Sequence, residues 1–281
     1  MKLGFIGLGV MGEPMCRNLA AKSGCAVSAF DVRRVAVEGT QAAASVEEAA
    51  RDADIVFLSL PGGTEVDAVC RSLLQTMKPR TCVADLSTAP VSLARRLHGE
   101  FAARSVEFAD APVARTREAA RQGTLSVMVG GSPQAYARLR PLLACMASDV
   151  THCGGPGAGQ AMKLVNNLVL FQNVLAVAEA LALVRHAGVD PALALEVLAK
   201  GSADSFALRN HGVKAMLRND YPERAYSTEY ALKDLGYALE LAREGGLALS
   251  GAENARQLLE KSRAAGFGAE YFPALAKIVV R

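Results

Sequence analysis

The chain of 281 residues has no marked excess of charge of either sign: 31 basic residues stand against 28 acidic ones, a net of +3. Binding to a phosphate backbone needs clustered basic residues, so no nucleic-acid partner is expected. Paired metal ligands are missing too. The six cysteines, Cys16, Cys25, Cys70, Cys82, Cys145 and Cys153, include no CxxC, and His98, His152, His186 and His211 form no HExxH. Neither a metal site nor a dithiol redox centre is therefore expected, and the cysteines read as small buried hydrophobes in a reducing compartment. No apolar run has the length and purity of a membrane span. The opening MKLGFIGLGVMG is short and glycine-rich, and the stretch from Asn167 to Val184 is broken by Gln172, Asn173 and Glu179. The expected setting is the cytoplasm, with no membrane contact. Low complexity is absent, with 51% hydrophobic and 21% charged residues, and no repeat recurs at a fixed spacing. At roughly 100–200 residues per domain the length predicts one or two folded domains.

What the sequence does have is a change of rhythm near residue 155. Before it, short β-type runs at Lys2–Ile6, Ala26–Phe30, Ile55–Leu60, Thr81–Ala84, Val106–Asp110, Leu125–Val129 and Asp149–His152 alternate with amphipathic stretches. The latter lie at Glu13–Lys22, Val46–Arg51, Glu65–Met77 and Pro133–Met146. This alternation predicts an α/β fold whose N-terminal part is a Rossmann-type, parallel, doubly wound sheet with helices on both faces. A turn-rich segment, Gly154 to Gly159, follows, and beyond it only helical periodicity remains. Helices are expected from about Ala161 to Ala187, after the Asp190-Pro191 N-cap, and over Thr228–Glu244, Ala252–Ala265 and Tyr271–Val280. The expected domains are 1–157 and an all-helical 158–281.

Gly7-Leu8-Gly9-Val10-Met11-Gly12 fits GxGxxG, directly after a predicted strand and opening a predicted helix. Gly7 allows a tight turn, Gly9 lets a pyrophosphate approach the backbone, Gly12 lets helix and strand pack closely, and the helix N-terminus supplies N–H donors. Asp31, 19 residues beyond Gly12 at the end of the second predicted strand, is placed to accept hydrogen bonds from ribose hydroxyls. Its charge would repel a 2′-phosphate that Arg33 or Arg34 could otherwise meet, so NAD is expected in preference to NADP. The competing reading is a purely structural turn with Asp31 capping the next helix. A dinucleotide fold does not by itself name a reaction.

Four separated segments carry a more specific signal. They are Phe5–Gly12 with Pro14-Met15 and Asn18-Leu19; Asp85-Leu86-Ser87-Thr88 with Pro90; Asp110-Ala111-Pro112-Val113 leading into Gly123-Thr124-Leu125 and Met128-Val129-Gly130-Gly131; and Gly157 to Asn167, with Lys233-Asp234-Leu235 further on. Together they resemble the β-hydroxyacid dehydrogenase family, which includes 3-hydroxyisobutyrate dehydrogenase, tartronate semialdehyde reductase and sulfolactaldehyde reductase. The resemblance implies that Lys163, in GxGxxxKxxNN, is the catalytic acid/base. The chemistry agrees: oxidising an alcohol requires removal of its hydroxyl proton as hydride leaves, and a lysine can take it if its pKa is lowered toward neutrality. Asn167, four residues on, shares the helix face of Lys163 and can hold the lysine and the reacting oxygen, while Asn166 on an adjacent face touches substrate. By resemblance Thr88 lies near the nicotinamide, Leu60 and Pro61 lie where the cofactor crosses the sheet's carboxyl edge, and Lys233 closes on cofactor and substrate. Without the resemblance, Lys163 reads as an ordinary helix lysine and Lys233-Asp234 as a solvated pair.

One segment departs from the family. Where Pro-Val-Ser-Gly-Gly usually cradles the substrate carboxylate, this chain has Pro112-Val113-Ala114-Arg115-Thr116. The variant resembles the Pro-Val-Gly-Arg-Thr of sulfolactaldehyde reductase. Arg115 is expected to pair with a substrate carboxylate or sulfonate through its planar fork, with the Thr116 hydroxyl beside it and Gly123 nearby. The alternative places Arg115 in a solvent-facing cluster with Arg117 and Arg121. The expected activity is hydride transfer between NAD(H) and a small 3-hydroxy acid or its semialdehyde, in a cleft between the domains. The long helix carrying Lys163 is expected to pair copies into a homodimer or homotetramer. The rivals are a non-catalytic dinucleotide sensor and an imine reductase of the same architecture, which typically lacks the lysine.

Overall fold

Strand side chains in the first half alternate between two apolar layers, and this alternation builds a sheet covered on both faces. The computed structural model describes residues 1–223 and 225–279. Its elements begin with β1 (Lys2–Ile6), α1 (Gly12–Lys22), β2 (Ala26–Phe30), β3 (Gln41–Ala42), α2 (Val46–Ala50), β4 (Ile55–Leu58), α3 (Gly63–Thr76), β5 (Cys82–Asp85), α4 (Val91–Ala102) and β6 (Glu107–Asp110). β7 (Val113–Ala114), α5 (Arg117–Gln122), β8 (Leu125–Gly130), α6 (Pro133–Leu143) and β9 (Ala147–Gly154) complete the sheet region. Leu3, Phe5, Ile55, Phe57, Cys82 and Ala84 pack on one side with Met15, Leu19, Leu139 and Leu143. Ile6, Val56, Leu58 and Val83 pack on the other with Val66, Leu73, Leu97 and Phe101. Each large side chain fully buried this way contributes about 1.5–3 kcal/mol.

The strand order is β3-β2-β1-β4-β5-β6-β8-β7, with β9 on β8. Pairings from β3 to β6 are parallel, as expected. The expectation of an all-parallel sheet fails at β8, which runs antiparallel to both β6 and β7. The reversal lies in the connection from β7 to β8: it runs only from Arg115 to Thr124, short of the dozen or more residues that a parallel crossover needs. Strands β3 and β7, of two residues each, and helix α4 were not anticipated. The strand expected to reach Leu60 ends at Leu58, and the helix expected to reach Met146 ends at Leu143.

The second half is helical: α7 (Ala158–His186), α8 (Pro191–Leu198), an unanticipated π-helical segment at Ala207–Met216, α9 (Thr228–Glu244), α10 (Ser250–Ser262), a 3₁₀ turn at Phe272–Leu275 and α11 (Ala276–Val279). Of the expected Tyr271–Val280 helix, Val280 lies outside the described residues. Asp190 caps α8 through the Ala192 and Leu193 amides, with Pro191 in its first turn. The chain divides into two compact units, Met1–Lys163 and Leu164–Arg281. By length and composition α7 could cross a membrane, with a mean hydropathy of 1.8 over its most apolar window. Phe171, Val174, Leu175, Val177, Ala178 and Leu181 on one side of it are buried, while Met162, Val165, Val169 and Leu183 are exposed.

Candidate active site

The glycine loop joins β1 to α1. Gly7 has φ +94°, and a Cβ there would run into the Ser59 carbonyl; one on Gly12 would run into the Gly7 carbonyl. At Gly9 the backbone is open, with only an Arg33 guanidinium nitrogen at 4.0 Å from where a Cβ would stand. This bare backbone beside a helix start fits a pyrophosphate. Val10 and Met11 complete the loop, Val10 being exposed. Asp31 ends at the loop's underside: its Oδ2 accepts from the Leu8 amide at 2.7 Å, and its Oδ1 from the Arg33 amide at 2.8 Å and Arg33 Nε at 3.0 Å. Arg33 also donates to the Leu8 carbonyl at 3.0 Å. Burial pushes the Asp31 carboxyl up, but the hydrogen bonds from Arg33 and Leu8 outweigh it and hold the group below the usual range. Asp31 is therefore ionised at neutral pH.

Beyond β4 and β5, the Leu60 amide donates to Ser87 Oγ at 2.8 Å, joining the Leu60-Pro61 turn to the Ser87-Thr88 turn. The second turn is tied in addition to the start of α7. Fully buried Gln160 donates from Nε2 to the Ser87 carbonyl at 2.8 Å and accepts from the Ala89 amide at 3.1 Å. Asp110, at the end of β6 and 1% exposed, accepts from the amides of Gly157 and Gln160, each at 2.8 Å. A carboxylate accepting from amides at a helix start satisfies donors that have no partner within the helix and suits the positive end of its dipole. Burial pushes the Asp110 carboxyl above its usual range despite these bonds. Lys163, half-buried, follows Gln160 by three residues, so the turn that carries it grows from this double anchor.

On the next turn Asn167 is buried and Asn166 exposed. Asn167 Nδ2 donates to Asp234 Oδ2 at 2.8 Å, and Asn166 Nδ2 donates to Asn167 Oδ1 at 3.1 Å. Tyr226 donates its hydroxyl to the same Asp234 Oδ2 at 2.5 Å. Burial, with Asp234 alongside, pushes the Tyr226 phenol well up, so it stays a donor. Lys233 Nζ lies 3.0 Å from Asp234 Oδ1 and over the rings of Tyr230 and Tyr237, at 5.4 and 5.3 Å from their centroids. The Lys233-Asp234 pair is thus no solvated pair: Asp234 is 2% exposed.

Arg115 has a left-handed backbone, φ +86°. Its guanidinium donates to the Thr124 carbonyl and Ser148 Oγ, both at 2.6 Å, and to Asp149 Oδ2 at 2.7 Å. The fork expected to meet a substrate anion is therefore engaged by the protein. Thr116 caps α5, its hydroxyl accepting from the Ala119 amide at 3.3 Å. Gly123 closes the same helix at φ +70°, against Asn18 and Lys22 of α1. Arg121 pairs with Glu118 at 3.6 Å on an exposed face, as expected for a solvated helix. Cys16 and Cys82 are buried, and burial pushes both thiols up to about 12, which fits inert core residues. His211 is likewise a core residue: burial pulls it down to about 4, and its Nδ1 meets the Tyr271 hydroxyl at 2.5 Å.

Sequence reasoning missed four polar residues described above, two in each unit. Asp110, Gln160 and Asp234 sat inside the quoted segments without an assigned role, because a buried polar side chain looks in sequence like any surface one. Tyr226 gave no signal at all.

A family model described as the NAD binding domain of 6-phosphogluconate dehydrogenase matches residues 2–155. Another, described as the NAD-binding of NADP-dependent 3-hydroxyisobutyrate dehydrogenase, matches residues 157–279. The 2-(hydroxymethyl)glutarate dehydrogenase of Eubacterium barkeri is 36% identical over 286 residues, covering 99% of this chain and 94% of its own. Among solved structures, Mycobacterium tuberculosis 3-hydroxyisobutyrate dehydrogenase with L-serine superimposes with a TM-score of 0.91 at 31% identity, covering 100% of this chain and 99% of that one. An imine reductase from Myxococcus stipitatus, at 17% identity and a TM-score of 0.66 over 100% of this chain and 99% of its own, shares the fold alone. The chain belongs to the β-hydroxyacid dehydrogenase family and is an NAD(P)-dependent oxidoreductase acting on the CH–OH group of small hydroxy acids.

Proposed function

We propose that the protein transfers hydride between NAD(H) and a small 3-hydroxy acid or its semialdehyde, with Lys163 as acid/base, Asn167 beside it and Arg115 gripping the substrate anion. The observation that carries this reading is the anchored start of α7, which fixes one turn bearing Lys163 and the next bearing Asn167. The relatives' named substrates agree in chemistry: 2-(hydroxymethyl)glutarate, 3-hydroxyisobutyrate and L-serine each place a CH₂OH group one carbon from a carboxylate. The bound nicotinamide supplies the hydride acceptor. Lys163 takes the hydroxyl proton as the C–H bond breaks, and returns one when the carbonyl is reduced. The glycine loop, the α1 start and Asp31 hold the dinucleotide in this reading; Leu60, Pro61 and Thr88 border its nicotinamide end, and Lys233 on α9 is assigned to cofactor and substrate. Asn166, Thr116 and Gly123 complete the substrate side in this reading.

Arg115 stays available despite its partners. Its side chain is 42% exposed and that of Asp149 54%, and exposed ion pairs contribute only about 0–1 kcal/mol. A substrate carboxylate or sulfonate can displace Asp149 at little cost. The test is a screen of short 3-hydroxy acids and hydroxy sulfonates with NAD and NADP in parallel. Turnover of none would support a sensor without chemistry.

Cofactor choice turns on Asp31. As an ionised group under the loop it disfavours a 2′-phosphate, so wild-type protein is expected to show a higher kcat/KM with NAD than with NADP. Asp31→Ser removes that repulsion and releases Arg33, and should raise the NADP/NAD ratio of kcat/KM. A wild-type preference for NADP would refute this assignment. The exposed stripe of Met162, Val165, Val169 and Leu183 supports pairing of copies along α7, which sedimentation of the purified protein would test.

A further inference from the structure

We infer that Tyr226 is a positioning residue for the reaction, acting through Asp234 on the amide of Asn167; the inference rests on the role proposed for Asn167. It starts from a constraint on that amide. A carboxylate accepts hydrogen bonds and donates none, so the Asn167 atom 2.8 Å from Asp234 Oδ2 is the Nδ2 donor. The free edge of the amide is then Oδ1, the atom that Asn166 Nδ2 meets at 3.1 Å. Asn167 thus presents an acceptor, suited to an ammonium or a substrate hydroxyl. Reversed, it would present N–H groups, from which an ammonium cannot accept.

The direction of the amide is only as secure as the carboxylate that sets it. Asp234 has three neighbours: Asn167 and Tyr226 on Oδ2, and Lys233 Nζ at 3.0 Å from Oδ1. Lys233 has a long flexible stem and is assigned to cofactor and substrate, so its hold on Asp234 is interrupted during turnover. Tyr226 cannot leave in the same way. Its ring stacks on Phe171 at 6.3 Å and meets Phe272 edge-on at 5.6 Å, which holds the hydroxyl 2.5 Å from Oδ2; the Tyr230 carbonyl, its other acceptor, is farther at 3.2 Å. It is the standing partner that keeps Asp234, and hence Asn167, in one orientation through the catalytic cycle.

The test is a double-mutant cycle with Tyr226→Phe, which removes one hydroxyl and leaves the ring packing, and Asn167→Ala, measured with NAD and 3-hydroxyisobutyrate. Tyr226→Phe should lower kcat about tenfold, as expected for loss of alignment at a reacting group, with KM for NAD unchanged. The double variant should be no slower than Asn167→Ala alone, because Tyr226 acts only through Asn167. Additive losses, or an unchanged kcat in Tyr226→Phe, overturn the inference while leaving the proposed function standing. Wild-type kcat in Asn167→Ala instead overturns the role of Asn167 itself. A readout without turnover runs alongside: with asparagine-selective ¹⁵N labelling, the Asn167 side-chain amide protons should exchange with water faster in Tyr226→Phe than in wild type. Unchanged exchange also overturns the inference. If Tyr226→Phe yields no folded protein, Asp234→Asn, which keeps the buried shape, takes its place in the cycle and should be equally non-additive with Asn167→Ala.

Discussion

Replacing Lys163 by alanine is expected to lower kcat by about 10²–10⁴ while the affinity for NAD remains near wild type. The two halves of this expectation come from different parts of the chain. In the proposed reading the dinucleotide is held by the β1–α1 loop and Asp31, at the carboxyl ends of β1 and β2, whereas Lys163 is carried by α7. The proton, by contrast, has one assigned carrier. The neighbouring amide of Asn167 cannot replace it, since a carboxamide does not titrate near neutral pH. Stopped-flow measurement of NADH formation, with NAD binding followed by calorimetry, separates the two. A kcat within a fewfold of wild type would assign the proton to another group, and loss of NAD binding would show that the lysine holds the cofactor instead.

Arg115→Ala is expected to lower kcat/KM for the hydroxy acid by on the order of 10²-fold, the loss of a charge-assisted bidentate contact worth about 1.5–3 kcal/mol. Because Asp149 shares the guanidinium, a paired variant decides whether the arginine binds substrate or only pins a loop. If it binds substrate, Asp149→Ala frees the Nη2 end of the fork, Nη1 still donating to Thr124 and Ser148, and leaves kcat/KM equal to wild type or higher. If it is a loop clamp, the two variants lower thermal stability alike and neither changes kcat/KM by more than a fewfold. Arg115→Lys should recover only part of the loss, since an ammonium cannot reproduce the fork. Arg121→Ala, on an exposed helix face, should change nothing measurable.

The parts of this molecule that could be read from sequence are those where one local rule decides the outcome. β1 and β2 are short apolar runs with their ends marked by turns, and their limits, Lys2–Ile6 and Ala26–Phe30, were legible without coordinates. So was α9, whose start is set by the Ser227 cap and whose end is set by Gly245. α4 was not, because Pro90 before it and Gly99 within it read as loop signals, while its burial of Val91, Ala94, Leu97 and Phe101 is a tertiary fact. The antiparallel course of β8 depends on the short connection from β7, not on any propensity. In the site, it was the resemblance of the Gly157–Asn167 segment to the family, not spacing alone, that pointed to Lys163 and Asn167. Of the polar groups around them, Asp110 lies some fifty residues before Lys163 in the chain, and Tyr226 and Asp234 some sixty to seventy after it, and periodicity carries no information across such separations.

The cap that Asp110 places on α7 has a consequence for the order in which the molecule becomes rigid. The amides of Gly157 and Gln160 find their acceptor 47 and 50 residues earlier in the chain, at the end of a sheet strand. The first turn of a helix normally frays, and its amides exchange with solvent freely. Here their protection is borrowed from the sheet, so it should rise and fall with the stability of β6 and not with the helix propensity of α7. Hydrogen exchange at these two amides therefore reports whether the turn bearing Lys163 is set, and an isolated peptide spanning α7 would leave both unprotected. The placement of the residue proposed as acid/base is in this sense acquired late, once the β-sheet has formed.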